Sequence, residues 1–488
     1  MAVISRRLGV VFLAFLLFAA FGILTLLRRD DGVLLRPTKW GQPQDGLDFR
    51  PAGNTDIEIP TGIVDLSHLE KHSLTPKFEY RRRTIKVKAV KGKRETLTKL
   101  NAPLFNPPQT LDANQLRDSS IDPLPPLTLE VPSSPEVNTA IASFGIATTA
   151  ERLPQAFPNL QHWLSNTSSL LHVAASNSDP EKPADLSDLQ AQLRGLSINA
   201  TVALATLPFS KAYFSLVKEL YESRTPETQW LVLIDDDTFV PSLPALLNHL
   251  NTAYDSSQEV LISAISDNIK QIHIFGLQPF GGGGIFISVP LAAFLTSPKI
   301  WNSCMESTSG QGDQLLNECI QAHSAVRPIF DQGLNQMDIG GNYFVPAGYL
   351  ESGRPMLTVH HWRSWFWVDM PAVGSVAKVC GYEGVLMRWL FEGDLVLANG
   401  YSIAEYPKGM EDVDLSAVEQ TWGGERGEYI HRIGPLREKL GREQKRSFGM
   451  KESVVLKEGV RQTYIDMAEV VEEKKVGVDS VVELIWLF

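Results

Sequence analysis

The run Trp230-Leu231-Val232-Leu233-Ile234 passes without a break into Asp235-Asp236-Asp237-Thr238. Five consecutive large apolar residues have no polar face. As a strand they must be covered on both sides, which is the pattern of a parallel sheet sandwiched between helices. The chain then changes from wholly apolar to wholly ionisable at what would be the strand's carboxyl end, where open α/β sheets hold their ligands. Three adjacent carboxylates repel one another, so a cation stabilises the cluster, and all-oxygen donors suit Mg2+ or Mn2+. A plainer reading stands beside this one, a helix cap and solvated acids ahead of the helical stretch at 241–250.

The flanking segments extend the same pattern. Residues 141–149 read as a buried strand ending in the hydroxyl residues Thr148 and Thr149, and 202–204 as a short strand. Residues 160–164 and 186–193 read as helical or connecting pieces. Residues 211–222 read as a helix with Tyr213, Phe214, Leu216, Val217 and Leu220 on its apolar face. This β–α alternation predicts an α/β domain at 138–370, Rossmann-like, with a mostly parallel sheet and helices on both faces. Ahead of it, 28–137 is punctuated by prolines in its second half and reads as a stem. That stem carries a basic stretch from Arg81 to Lys99, and within it 84–90 alternates like an edge strand blunted by lysines. Residues 371–488 read as a smaller β-rich appendage, with a charged, loosely periodic tail from 436 onward.

Residues 8–27 are apolar and uncharged. At ~1.5 Å per residue they are long enough to cross a ~30 Å hydrocarbon core. A cleaved signal peptide is the alternative, but its apolar region would be shorter and would end at a small-residue site. Arg6 and Arg7 favour a cytoplasmic tail at 1–7, and hence a single-pass type II protein with a lumenal catalytic part. The tripeptides at Asn166 and Asn199 fit glycosylation there. Of the three cysteines, Cys304 and Cys319 bracket one short segment and form a candidate disulfide, with buried free thiols as the alternative. The net charge of −11 argues against a nucleic-acid partner. Oligomeric state leaves no trace in the sequence.

Three further motifs carry chemistry. Gly281 to Gly284 precede another apolar run, and the absence of side chains at Gly282 and Gly283 lets backbone approach a bulky ligand, or marks a plain flexible hairpin. Asp313, in Gly310-Gln311-Gly312-Asp313-Gln314, lies near the start of a helix, where an acid is most often a cap. His360 and His361 end a short apolar run. An imidazole there would complete a metal shell, or else line the core.

Taken in order, the segments 144–153 (FGIATTAERL), 230–240 (WLVLIDDDTFV), 280–290 (FGGGGIFISVP), 310–316 (GQGDQLL) and 359–362 (VHHW) resemble the family 31 glycosyltransferases, the Fringe-like and β-1,3-galactosyltransferase-like group, and in particular their fungal members. The resemblance implies a GT-A fold, an inverting mechanism, Mn2+ and a UDP-sugar donor, in a Golgi or endoplasmic-reticulum membrane protein acting on a glycan acceptor. It also implies that Asp237 binds metal, that Asp235 or Asp236 contacts ribose, and that His360 or His361 is the metal-binding histidine. Thr148, Thr149 and Arg152 would meet the uridine diphosphate, and Asp313 would be the catalytic base. The rival enzyme, a phosphatase of the haloacid-dehalogenase type, needs Asp-x-Asp-x-Thr, and Phe239 stands where that motif needs threonine. The non-enzymatic rival is a degenerate glycan-binding or chaperone-like protein, against which the retained acids and histidines speak.

Overall fold

The computed structural model describes residues 63–121, 124–177, 184–340, 346, 348–472 and 474–488. The expected tail at 1–7 and anchor at 8–27 lie outside these residues. Among the described residues no helix is long and apolar enough to cross a membrane.

The α/β part runs β1 (Ala142–Thr149), α1 (Leu153–Leu164), β2 (Leu170–Ser176), α2 (Leu186–Gly195), β3 (Ala200–Leu204), α3 (Phe209–Ser223), β4 (Trp230–Ile234), α4 (Leu243–Ala253), β5 (Leu261–Ala264), α5 (Ile269–Phe275), β6 (Phe280–Ser288), α6 (Val289–Leu295), α7 (Pro298–Met305), α8 (Gly312–His323) and β7 (Ile329–Phe330). Its seven-stranded sheet has the order β7-β5-β6-β4-β1-β2-β3. Every β4 residue is buried, as an uninterrupted apolar run requires. On one side β4 pairs parallel with β1, on the other antiparallel with β6. The sheet is therefore mixed, with β6 antiparallel to both its neighbours and the other pairings parallel. The four glycines are not a hairpin. They are residues of β6 and are buried along with the rest of that strand.

A second, ten-stranded sheet corrects the expected division into a stem and a smaller appendage. Its path runs Thr98–Pro103, Arg388–Glu392, Leu395–Ala398, Ser402–Glu405, Arg446–Leu456, Gly459–Asp466, Ser480–Leu487, Lys77–Val90 and Gln109–Asp112, with Leu127–Pro132 also paired to Lys77–Val90. The segment expected as an edge strand is thus paired along 85–90 with Leu127–Pro132 on one side and along 84–86 with Ser480–Leu487 on the other. Arg81 lies 3.1 Å from Glu405, while the Tyr80 hydroxyl donates to the buried Glu483 at 2.7 Å. The buried positive charge of Arg81 is therefore paired with an acid elsewhere in the sheet, whereas Lys86 and Lys88 are exposed.

The two sheets are tied through the segment that carries the histidines. Val359, Trp362 and Phe366 share one core with Trp389, Tyr464 and Trp486 of the large sheet. A fragment beginning at residue 138 would lack four strands of the large sheet, Lys77–Val90, Thr98–Pro103, Gln109–Asp112 and Leu127–Pro132. It should show no cooperative melt by circular dichroism, whereas a fragment beginning at residue 63 should unfold in one sharp transition. A sharp melt from the shorter fragment would mean that the large sheet tolerates their loss.

Candidate active site

The turn after β4 sorts the three aspartates. The Asp235 N–H donates to Thr238 Oγ1 at 2.9 Å, and the Thr238 hydroxyl donates to the Gly282 carbonyl at 2.7 Å. Asn159 Nδ2 donates to the Thr238 carbonyl at 2.8 Å. With the turn pinned in this way, Asp236 points toward β1, where Thr148 Oγ1 and Arg152 Nη2 donate to its carboxylate, the latter at 2.6 Å. Burial raises the Asp236 pKa, and the Thr148 hydrogen bond and the Arg152 charge pull it back. Asp235 and Asp237 turn the other way, toward His360.

His360 is delivered by a short backbone bridge. The N–H groups of Phe239 and Val359 each donate to the other's carbonyl at 2.8 Å, which fixes Asp237 and His360 close together. The His360 Nε2 lies 3.0 Å from Asp237 Oδ1 and 3.3 Å from Asp235 Oδ2. One ligand atom from each of Asp235, Asp237 and His360 falls within 4.8 Å of the others. Gly282 makes this possible, since a Cβ there would lie 2.0–2.3 Å from the imidazole ring. Burial works against the charged ring, but the Asp237 and Asp235 carboxylates overcome it and take the His360 pKa up to about 10. Burial likewise disfavours the Asp237 carboxylate, and the histidine charge brings its pKa down to about 2. Two carboxylates and an imidazole converging on one point form a donor set that fits Mn2+ or Mg2+, and a bound cation would take over the charge now carried by the ring proton.

Asp313 stands on the neighbouring wall, in the first turn of α8. Its carboxylate accepts from the Gly281 N–H at 3.2 Å and the Gln314 N–H at 2.8 Å. Burial pushes its pKa up, the Gly281 N–H opposes this, and the Asp235 charge adds to the rise. Adjacent glycines therefore link the two halves of the site, Gly281 to Asp313 and Gly282 to His360.

The other expected residues are distributed less directly. His361 takes a different partner: its Nδ1 lies 2.9 Å from Asp338, and its ring packs on that of His360, with centroids 4.0 Å apart and planes tilted by 36°. Thr149 Oγ1 accepts from the Arg152 N–H at 3.3 Å. The Gly283 N–H donates to Gln336 Oε1 at 2.7 Å, and a Cβ on Gly283 would strike Ala264. The bare positions of Gly282 and Gly283 thus face protein groups. Cys304 and Cys319 are joined in a disulfide between α7 and α8, and Cys380 is a buried free thiol.

Sequence reading missed Thr238, Asn159 and Tyr213. Thr238 follows the acids directly and was open to notice as the turn's closing hydroxyl. Tyr213 reads as an ordinary apolar-face residue, yet its ring fills the space beside Gly312 and its buried hydroxyl, against Gly281, has no hydrogen-bond partner among the described residues.

No protein-family model and no curated protein matches the chain. Among solved structures, a mannosyltransferase from Pyrobaculum calidifontis in complex with GDP-Man and Mn2+ is similar at 12% identity, over 39% of this chain and 55% of that one, with a TM-score of 0.28. The chain thus spans about half the length of that relative. Mouse xyloside xylosyltransferase 1, in its apo form, is similar at 15% identity over 38% of this chain and 84% of that one, with a TM-score of 0.26.

Two outcomes follow from the geometry. In the metal-free protein the folded His360 pKa lies above its ordinary value of 6.5. The stability it contributes is therefore complete below about pH 6.5 and is lost as pH rises toward 10. Metal capture requires the neutral ring, so Mn2+ should bind more tightly as pH rises through that window and release about one proton per ion near pH 7.5. Calorimetry in buffers of different ionisation enthalpy measures that proton, and its absence would contradict His360 as a ligand. Separately, Gly282→Ala should displace the ring and weaken Mn2+ binding by at least about tenfold while the fold survives. Unchanged affinity would show that the ring has room to spare.

Proposed function

We propose that this chain is an inverting, metal-dependent glycosyltransferase that moves a hexose from a UDP-sugar to a glycan hydroxyl. The observation that carries this reading is the convergence of Asp235, Asp237 and His360 on one point, with Asp313 fixed to the same glycine wall. Asp235, Asp237 and His360 would hold the divalent cation, whose positive charge, when bound, offsets the charge developing on a departing diphosphate. Asp313 accepts the proton of the acceptor hydroxyl as that oxygen bonds to the anomeric carbon. The bond from that carbon to the diphosphate oxygen breaks, UDP leaves with the electron pair, and configuration inverts. A carboxyl raised by burial is a better base for this than an ordinary aspartate. Arg152, clamped by Asp236 yet with its side chain 59% exposed, offers a positive charge to the donor's phosphates beside Thr148 and Thr149.

Galactopyranose is the first candidate sugar, followed by galactofuranose and N-acetylglucosamine. The proposed setting is the lumen of the Golgi or endoplasmic reticulum, with residues 8–27 as a type II anchor. The Cys304–Cys319 disulfide supports an oxidising compartment.

Asp313→Asn should keep Mn2+-dependent UDP binding and lose transfer by about 10²–10⁴-fold, whereas Asp237→Ala should lose that binding altogether. Assays of purified protein against a UDP-sugar panel, with and without Mn2+, measure both effects. Full transfer by Asp313→Asn would remove the base, and phosphate-ester hydrolysis in place of transfer would favour a phosphatase.

A further inference from the structure

Immediately after the metal-site histidine the chain makes a compact turn that alternately buries and displays aromatic rings. Trp362 and Phe366 enter the core shared with the large sheet. Trp365 and Trp367 face outward, 45% and 50% exposed. The turn is firmly tied. The Ser364 and Phe366 N–H groups donate to the His361 carbonyl at 3.1 and 2.9 Å, and the Val368 N–H donates to the Trp362 carbonyl at 2.9 Å. Arg363 Nη2 donates to Gln155 Oε1 in α1, which fastens the turn next to Arg152. Two non-glycine residues, His361 and Trp367, hold left-handed backbone at φ 53° and 49°. Such a conformation persists only where the surroundings over-determine it, and it clusters at binding sites.

Position distinguishes these tryptophans from the scattered apolar residues of any protein surface. The Trp365 ring stacks on His361 at 5.4 Å between centroids and 14° between planes, and His361 in turn lies 4.0 Å from His360. Two ring contacts therefore separate the exposed indole from the cation cluster. One face of a pyranose carries C–H hydrogens of slight positive charge, which complement the electron-rich face of an indole, while its hydroxyls remain in water. A flat, amphipathic ligand of this kind suits a large aromatic surface that is rigidly held and only half covered.

We infer that the turn carrying Trp365 and Trp367 is a saccharide-binding platform, on which a pyranose ring of the acceptor glycan stacks beside the reacting hydroxyl. This rests on the reading of the site as hexosyl transfer, which already places the donor's diphosphate at the cation cluster and leaves the outer rim to the acceptor.

The test uses the full chain with methyl glycosides of galactose, mannose, glucose and N-acetylglucosamine as probes. Saturation-transfer NMR measures their binding, transfer assays give the acceptor KM, and calorimetry gives the UDP affinity in Mn2+. Trp365→Ala is expected to raise the acceptor KM, and to weaken binding of the glycoside that wild type accepts, by at least about tenfold. UDP affinity should be retained, and Trp365→Phe, which keeps a stacking face, should recover most of the loss. Unchanged glycoside binding in Trp365→Ala would overturn the platform, as would a loss of UDP affinity of equal size, which would assign the indole to the nucleobase. Binding of every glycoside too weak to detect in wild type would overturn it as well. Glycoside binding through Trp365 in a wild-type protein that neither binds UDP nor transfers hexose would instead uphold the platform and sink the proposed function.

Discussion

Asp235 and Asp237 face the same point at the end of one buried strand, and the arrangement holds only with a positive group between them. In the metal-free protein that group is the His360 imidazolium. Much of the surrounding structure bears on its delivery. Gly282 gives up a side chain to make room for the ring, and the Phe239–Val359 bridge sets the distance. The core behind Trp362 and Phe366 keeps the segment from swinging away. Asp236 could not join the pair without worsening the repulsion, and Thr148 and Arg152 draw it to the other side of the turn. The large sheet is thus the backing plate of the cation site.

This division of labour decides what was legible in the sequence. The central strands of the α/β part are buried on both faces, so β1 and β4 announce themselves as apolar runs, and the helices between them show their periodicity. The acids at the end of β4 were readable for the same reason, as an abrupt change of chemistry at a predictable place. The large sheet was largely hidden. Lys77–Val90 carries three consecutive arginines, and only the folded structure brings Glu405 and Glu483 to meet that strand. No local pattern distinguishes an arginine awaiting such a partner from one awaiting water. The segment from 436 onward looked aimless for the matching reason, because its acids and bases are satisfied across strands.

The two histidines show the same limit at the scale of one residue. His360 and His361 are equally good ligands on paper. What separates them is the left-handed backbone at His361, which turns that ring toward Asp338 and Trp365. The four glycines, open in the sequence to ligand approach or to a flexible hairpin, lie in a buried strand that other protein groups approach closely.

The pairing of Lys77–Val90 with Ser480–Leu487 has a consequence for synthesis. Glu79 and the Ser480 beside it are 401 residues apart in the chain, so the strand made early must wait for one made hundreds of residues later. During that interval its hydrogen-bonding edge is open, and an unpaired edge recruits wrong partners. The α/β elements, from Ala142 to Phe330, are synthesised before the last strands of the large sheet. The histidine that balances their aspartates is seated against a sheet that cannot yet have closed. Maturation of the cation site is thereby deferred to the last stage of folding, which makes metal capture a natural reporter of completed chains.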